Sequence, residues 1–153
     1  MPPVSELMRH EIALAPSDAT IRQVIEIMVD MDVEGVLITD TRGQVIGTIG
    51  DDQLVAALHA ARQRPWWQQI LAEGAAWSDG RLGTVAAADV MLRRVVVILP
   101  DTPAMTAIRL LDEYGSTVLP VADAGGKLLG ALHRRDLVKW LLHPSPFGRP
   151  ARS

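Results

Sequence analysis

Apolar positions along the chain follow two rhythms, one helical and one strand-like, and the same succession occurs twice. Ile21, Val24, Ile25 and Met28 fall at i, i+3, i+4 and i+7, the spacing of one helical face. Two short apolar runs follow, Gly35–Thr39 and residues 44–49, with Asp-Thr-Arg-Gly between them, which predicts a hairpin. In the second half Ala104, Ala107, Ile108 and Leu111 repeat the helical spacing, and residues 117–122 and 127–132 flank Asp-Ala-Gly-Gly. Each succession opens on a short extended piece, residues 12–14 or 95–99. Each closes on a second helix, Asp51–Ala61 or Arg134–Leu142. The loops before the first helices offer Ser17 and Asp18, or Asp101 and Thr102, as N-caps, and Pro103 suits a first helical position. The predicted unit is β-α-β-β-α.

A fixed offset relates the two units. Met8 and Met91, Asp40 and Asp123, and Gly47 and Gly130 are each 83 residues apart, with a one-residue slip between Pro16 and Pro100. A unit of ~60 residues buries too little surface to be comfortable alone. The pattern therefore predicts an α/β (α+β) fold in which two repeats pack face to face with pseudo-twofold symmetry. Residues 1–58 and 84–143 form the repeats, 59–83 a connector, and 144–153 a disordered tail.

This order of elements, with these residues, resembles the tandem CBS-domain pair, or Bateman module. The resemblance covers residues 4–58 and 87–142. It is carried by the Val-Ser-Glu-Leu-Met and Ala-Asp-Val-Met openings, the Pro-Ser-Asp and Pro-Asp-Thr loops, the Leu-Pro-Val-Ala-Asp strand and the run from Gly130 to Asp136. It implies a non-catalytic regulatory module with no catalytic cofactor. Such a module binds AMP, ADP or ATP, and less readily S-adenosylmethionine, in clefts between the copies, and pairs into a homodimer. Each repeat of that family ends in Gly-x-x-Ser/Thr-x-x-Asp, whose Asp holds the ribose hydroxyls and whose Ser/Thr faces the phosphate.

The second repeat keeps Gly130 and Asp136 of that pattern, with His133 in the Ser/Thr place. The resemblance therefore implies that Asp136 accepts the ribose hydroxyls through charge-assisted bonds. His133 would donate to a phosphate, more strongly below about pH 6.5, and Arg134 or Arg135 would add charge. Asp136 also sits where an acid complements a helix dipole without any ligand. By the same resemblance the base lies against Val4, Met8, Val33 and Glu34, with Met8 and Val33 as an apolar sandwich and Glu34 unfavourable to a phosphate. The first repeat departs at both polar places, which hold Gly50 and Gln53. Its cleft, with Met91, Ser116 and Thr117 as counterparts, is expected to be weak or empty, unless Gln53 donates to a ribose oxygen.

Composition narrows the classes. Apolar residues are 48% and charged residues 22%, enough for a core. A net charge of −3 argues against a nucleic-acid partner, which needs a basic face. The absence of cysteine removes thiol and zinc-thiolate chemistry. His10, His59, His133 and His143 show no metal-ligand spacing, and no Gly-x-Ser-x-Gly, Walker loop or Gly-x-Gly-x-x-Gly is present. Neither a membrane span nor a signal segment is visible, so the cytoplasm is the expected location. Three of the four Trp residues, Trp66, Trp67 and Trp77, fall in the connector. They predict a helix beginning at Pro65 that either seals the module's open end or meets an unidentified protein partner. In that alternative the chain is a ligand-free interaction module.

Overall fold

The computed structural model describes residues 1–61 and 85–142. The connector helix expected from Pro65, with its Trp residues, and the tail 144–153 lie outside the described residues. The first repeat runs from a 3-10 turn, Val4–Glu6, through β1 (Leu14–Pro16), α1 (Ile21–Met31), β2 (Gly35–Thr39), β3 (Val45–Gly50) and α2 (Asp51–Ala61). The second runs through a short α3 (Ala87–Val90), α4 (Ala104–Tyr114), β4 (Val118–Ala122), β5 (Leu128–His133) and α5 (Arg134–Leu142). These are the two β-α-β-β-α-like units that the sequence predicts, packed together.

In the first repeat β1 pairs parallel to β2, and β2 pairs antiparallel to β3. In the second, β4 and β5 form the same antiparallel hairpin, with a register shift at the equivalent place, Val121/Ala122 against Ile38/Thr39. Gly43 and Gly126 end the hairpin turns at φ of 81° and 87°, a region that a side chain disfavours. The extended piece expected at 95–99 is reduced to one parallel bridge, Ile98 to Val121. Val97 and Leu99 point outward and are exposed, so only Ile98 gains from pairing. Leu37, Val118 and Ala131 are buried together where the two sheets meet.

The segment leading into each repeat docks on the other repeat. Arg9 and Ala131 exchange backbone hydrogen bonds of 2.9 Å in both directions, while Leu92 and Thr48 exchange bonds of 2.8 and 3.0 Å. These pairs are equivalent under the 83-residue offset. So are the bridges Pro3 to Pro103 and Thr20 to Ala86. Val4 and Leu7 are buried in a core otherwise made of second-repeat residues such as Ala107, Leu119, Leu132 and Trp140. Ala87 and Met91 are buried among Ile21, Val24, Val36 and Ile49 of the first. Full burial of one such aliphatic side chain contributes about 1.5–3 kcal/mol, so each lead-in stabilises the opposite repeat.

The helix starts differ from the sequence expectation. A turn closed by Ala19 N–H on the Pro16 carbonyl takes up Ser17 and Asp18, and the N-cap of α1 is Thr20. Its hydroxyl accepts from Gln23 N–H at 3.2 Å, and the Gln23 side chain accepts from Thr20 N–H at 2.9 Å, a reciprocal capping box. In the second repeat Pro103 is the N-cap, one place before the first helical residue, and its side chain offers no acceptor. The first helical amides look across the molecule instead: Ala104 N–H donates to the Pro2 carbonyl and Ile21 N–H to the Val85 carbonyl.

The close approach of lead-in to sheet depends on glycine. A Cβ on Gly130 would lie 2.5 Å from the Arg9 carbonyl oxygen, a backbone atom that cannot swing aside. Gly130→Ala should therefore lower stability in urea unfolding by about 1–3 kcal/mol, the usual cost of overpacking. A change within a few tenths would contradict this register.

Candidate functional site

The site is built where the first lead-in crosses the end of β5. Pairing of Arg9 with Ala131 sets the Arg9 side chain beside the first turn of α5, where Asp136 arrives five residues later. The Arg9 guanidinium holds the Asp136 carboxylate with both arms, Nε to Oδ2 at 3.0 Å and Nη2 to Oδ1 at 3.1 Å. The pair is part-buried, with side-chain exposures of 30% and 14%. It is a bidentate, charge-assisted contact of the stronger kind. The bond to Asp136 raises the Arg9 pKa, against a lowering from burial.

A second ion pair lies beside it. Arg135 Nη2 is 3.1 Å from Glu34 Oε2, an ion pair without hydrogen-bond alignment, and Arg135 Nη1 is 3.9 Å from the exposed Asp32. Glu34 precedes β2, and its carbonyl accepts the Asp51 amide and, at 3.4 Å, the Thr117 hydroxyl. Its carboxylate is thus balanced by Arg135 rather than bare, which removes much of the repulsion expected toward an anion. Asp32, the C-cap of α1, has φ of 52°, and its counterpart in the second repeat is Gly115 at 63°.

His133 ends β5 and is buried, 1% exposed, with neither ring nitrogen hydrogen-bonded. Burial lowers its pKa from the usual 6.5, Arg9 lowers it further, and Asp136 and Glu34 oppose the shift. The ring is therefore neutral at neutral pH. Its protonation is pushed below the usual range, and a neutral ring keeps one N–H that can donate.

Among the other expected residues, Met8 and Val33 approach from the lead-in and from the end of α1, Met8 half-buried and Val33 buried. Val4 is fully buried in the core of the second repeat. Arg134 turns away from Asp136: Nη1 lies 3.5 Å from Asp52 Oδ2, and the side chain borders a groove of about 320 Å³ between α4 and α5. Sequence reading missed Arg9, whose partner is 127 residues away. The signal available was the offset itself, which puts Arg9 opposite Leu92, a charge where the twin has none.

The pseudo-equivalent corner has no counterpart of the Arg9–Asp136 pair, since Leu92 and Gln53 stand in those places. Gln53 turns its carbonyl oxygen back onto the Gly50 amide at 2.7 Å. Ser116 binds the Val118 carbonyl at 2.6 Å, Met91 is buried, and Thr117 fills the space a Cβ on Gly50 would need. Gln53, Ser116 and Thr117 thus each have a bond to a backbone group. Among the described residues no group of three His, Cys, Asp or Glu side chains is arranged to hold a metal.

A family model described as the CBS domain matches residues 4–60 and 87–143. An uncharacterised protein of Methanopyrus kandleri is 22% identical over 136 residues, covering 89% of this chain and 61% of its own length. The chain thus spans about three fifths of that relative. The crystal structure of CBSX2 in complex with AMP is similar with a TM-score of 0.64 and 24% identity, covering 93% of this chain and 97% of that one. A conserved CBS-domain protein of Thermoplasma acidophilum is similar with a TM-score of 0.69 and 17% identity, covering 90% and 68%.

His133 generates a pH dependence with a definite sign. Its folded pKa lies below the unfolded value, so the unfolded chain binds the extra proton first. Stability attributable to this group is complete above about pH 6.5 and is lost as pH falls toward the folded value. Urea titrations at several pH values between 7 and 5 should show that decline, and His133→Leu should flatten it. An identical decline in the variant would assign it to other groups.

Proposed function

We propose, from the premise that this chain belongs to the CBS-domain family, that it is a regulatory module binding an adenosine-containing ligand at the Asp136 corner of its inter-repeat cleft. CBS domains are a non-catalytic regulatory fold, and two of them account for most of the chain. The observation that carries the reading is Asp136 itself, a half-buried carboxylate on the first turn of α5 that faces the other repeat's lead-in. That position matches the family's ribose-holding acid, and a similar structure, CBSX2, was crystallised with AMP. AMP, ADP or ATP is the proposed ligand, ahead of S-adenosylmethionine. Met8 and Val33 flank the base, and Glu34, neutralised by Arg135, frames the rim. The Gln53 corner is the weaker site, because it lacks the acid and its polar side chains already bond to backbone groups. Among the described residues no helix is long and apolar enough to cross a membrane, and the proposed setting is the cytoplasm.

Occupancy has to be transmitted, and the helical side offers a surface for it. Val55 and Val138, equivalent under the 83-residue offset, are both exposed, as are Leu141 and Leu142. A second copy of the chain covering these faces would bury them about a twofold axis. Ligand binding would then shift the packing of a homodimer by its differential affinity for two arrangements.

Calorimetric titration with AMP, ADP and ATP should give a saturable heat, and Asp136→Asn should weaken it roughly tenfold or more, as expected for bonds to a charged acceptor. Absence of heat with every adenosine ligand at millimolar concentration would remove the reading. Sedimentation should give a dimer mass, and Val138→Glu with Leu141→Glu should give a folded monomer. A monomeric parent would locate signalling elsewhere.

A further inference from the structure

The carboxylate assigned to the ribose is not free: both of its oxygens are taken by Arg9. We infer that Arg9 is a latch that makes the site select nucleotides over nucleosides, because only a ligand bearing an anion can complete the exchange that frees Asp136. This inference rests on the ribose-binding reading of Asp136 above.

A ribose diol approaching Asp136 offers two neutral donors in place of the two donors of a guanidinium. That exchange alone is unfavourable. Two bonds between oppositely charged groups become two in which only the acceptor is charged, and Arg9, 30% exposed, is left without its counter-ion. The neighbours cannot re-pair it cheaply. Glu34 Oε2 lies 3.1 Å from Arg135 in an ion pair without hydrogen-bond alignment, and drawing it to Arg9 would strip Arg135 of that counter-ion. Asp32 is almost fully exposed and lies 3.9 Å from the same Arg135. His133 is buried and neutral and is no anion. A ligand that carries its own phosphate supplies the missing acceptor: the diol takes Asp136 and the phosphate takes the released guanidinium, whose planar fork suits phosphate as well as carboxylate.

The charges of the corner support this. Arg9 and Arg135 are matched by Asp136 and Glu34, with the exposed Asp32 as a further acid beside Arg135, so the latched corner offers an incoming phosphate no net attraction and only a guanidinium released from Asp136 can take it. The twin corner has Leu92 at the Arg9 position and Gln53 at the Asp136 position, with neither latch nor acid. The selection thus belongs to one corner only, and one side chain sets it while its own backbone stays fixed by Ala131.

Adenosine and AMP distinguish the outcomes, each titrated into the full chain and into Arg9→Gln and Arg9→Lys. Circular dichroism melting confirms that the variants fold. The parent should bind AMP about 10- to 100-fold more tightly than adenosine, the range expected for one charged hydrogen-bonded pair. Arg9→Gln should bind adenosine more tightly than the parent and AMP more weakly, collapsing the ratio. Arg9→Lys, which keeps the charge but not the fork, should fall between. If AMP binds and the ratio is unchanged in Arg9→Gln, the latch is wrong and the ribose reading stands. If neither ligand binds the parent or Arg9→Gln, the ribose reading itself fails and takes the latch with it.

Discussion

The paired amide–carbonyl bonds between Arg9 and Ala131, with their twins between Leu92 and Thr48, are the contact on which the rest of the architecture depends. They bind each lead-in to the sheet of the other repeat, and they bring Val4 and Leu7, or Ala87 and Met91, into cores that are incomplete without them. Glycine at 130 follows from them, because the crossing Arg9 carbonyl leaves no room for a side chain, and at 47 the crossing lead-in crowds the same place with the Met91 side chain. The site follows from them too, since the same bonds set the Arg9 side chain over the start of α5. Two units too small to close their own cores close one another's.

On that symmetric frame the chemistry is one-sided. Position by position, Arg9 faces Leu92 across the offset, Asp136 faces Gln53, Arg135 faces Asp52 and Glu34 faces Thr117. One corner gathers two ion pairs and a buried imidazole, and the other gathers side chains whose hydrogen bonds are satisfied locally. A duplicated scaffold thus holds one elaborated position and one quiet one. The left-handed residue after each first helix tells the same story: glycine in the second repeat, and in the first Asp32, an acid beside Arg135.

Much of the fold was legible because the offset of 83 residues turns one pattern into two concordant ones, each checking the other. Helices, hairpins and turn glycines came through this way. What was not legible depends on long-range contact. Ser17 and Asp18 are good N-cap residues, yet a local turn consumes them and Thr20 caps, because Gln23 three places on completes the box. The apolar run 95–99 looks like a strand, but its alternate residues face solvent and only Ile98 pairs. At the site, Asp136 and His133 stood out through their place in a motif. Arg9 had no local signal at all, and the burial that neutralises His133 comes from the packing of both repeats.

The exchange of lead-ins also changes what the repeat means. In the chain it is a translation by 83 residues, but in space the bridges Pro3–Pro103 and Thr20–Ala86 convert it into a rotation. The backbone contacts made by one lead-in are returned by the other, which is the property of an isologous pair. The linkage between halves raises the local concentration of one to the other and fixes their stoichiometry. It also allows the two surfaces to differ, since only a fused pair can carry an arginine on one face and a leucine on its mirror without every copy having both.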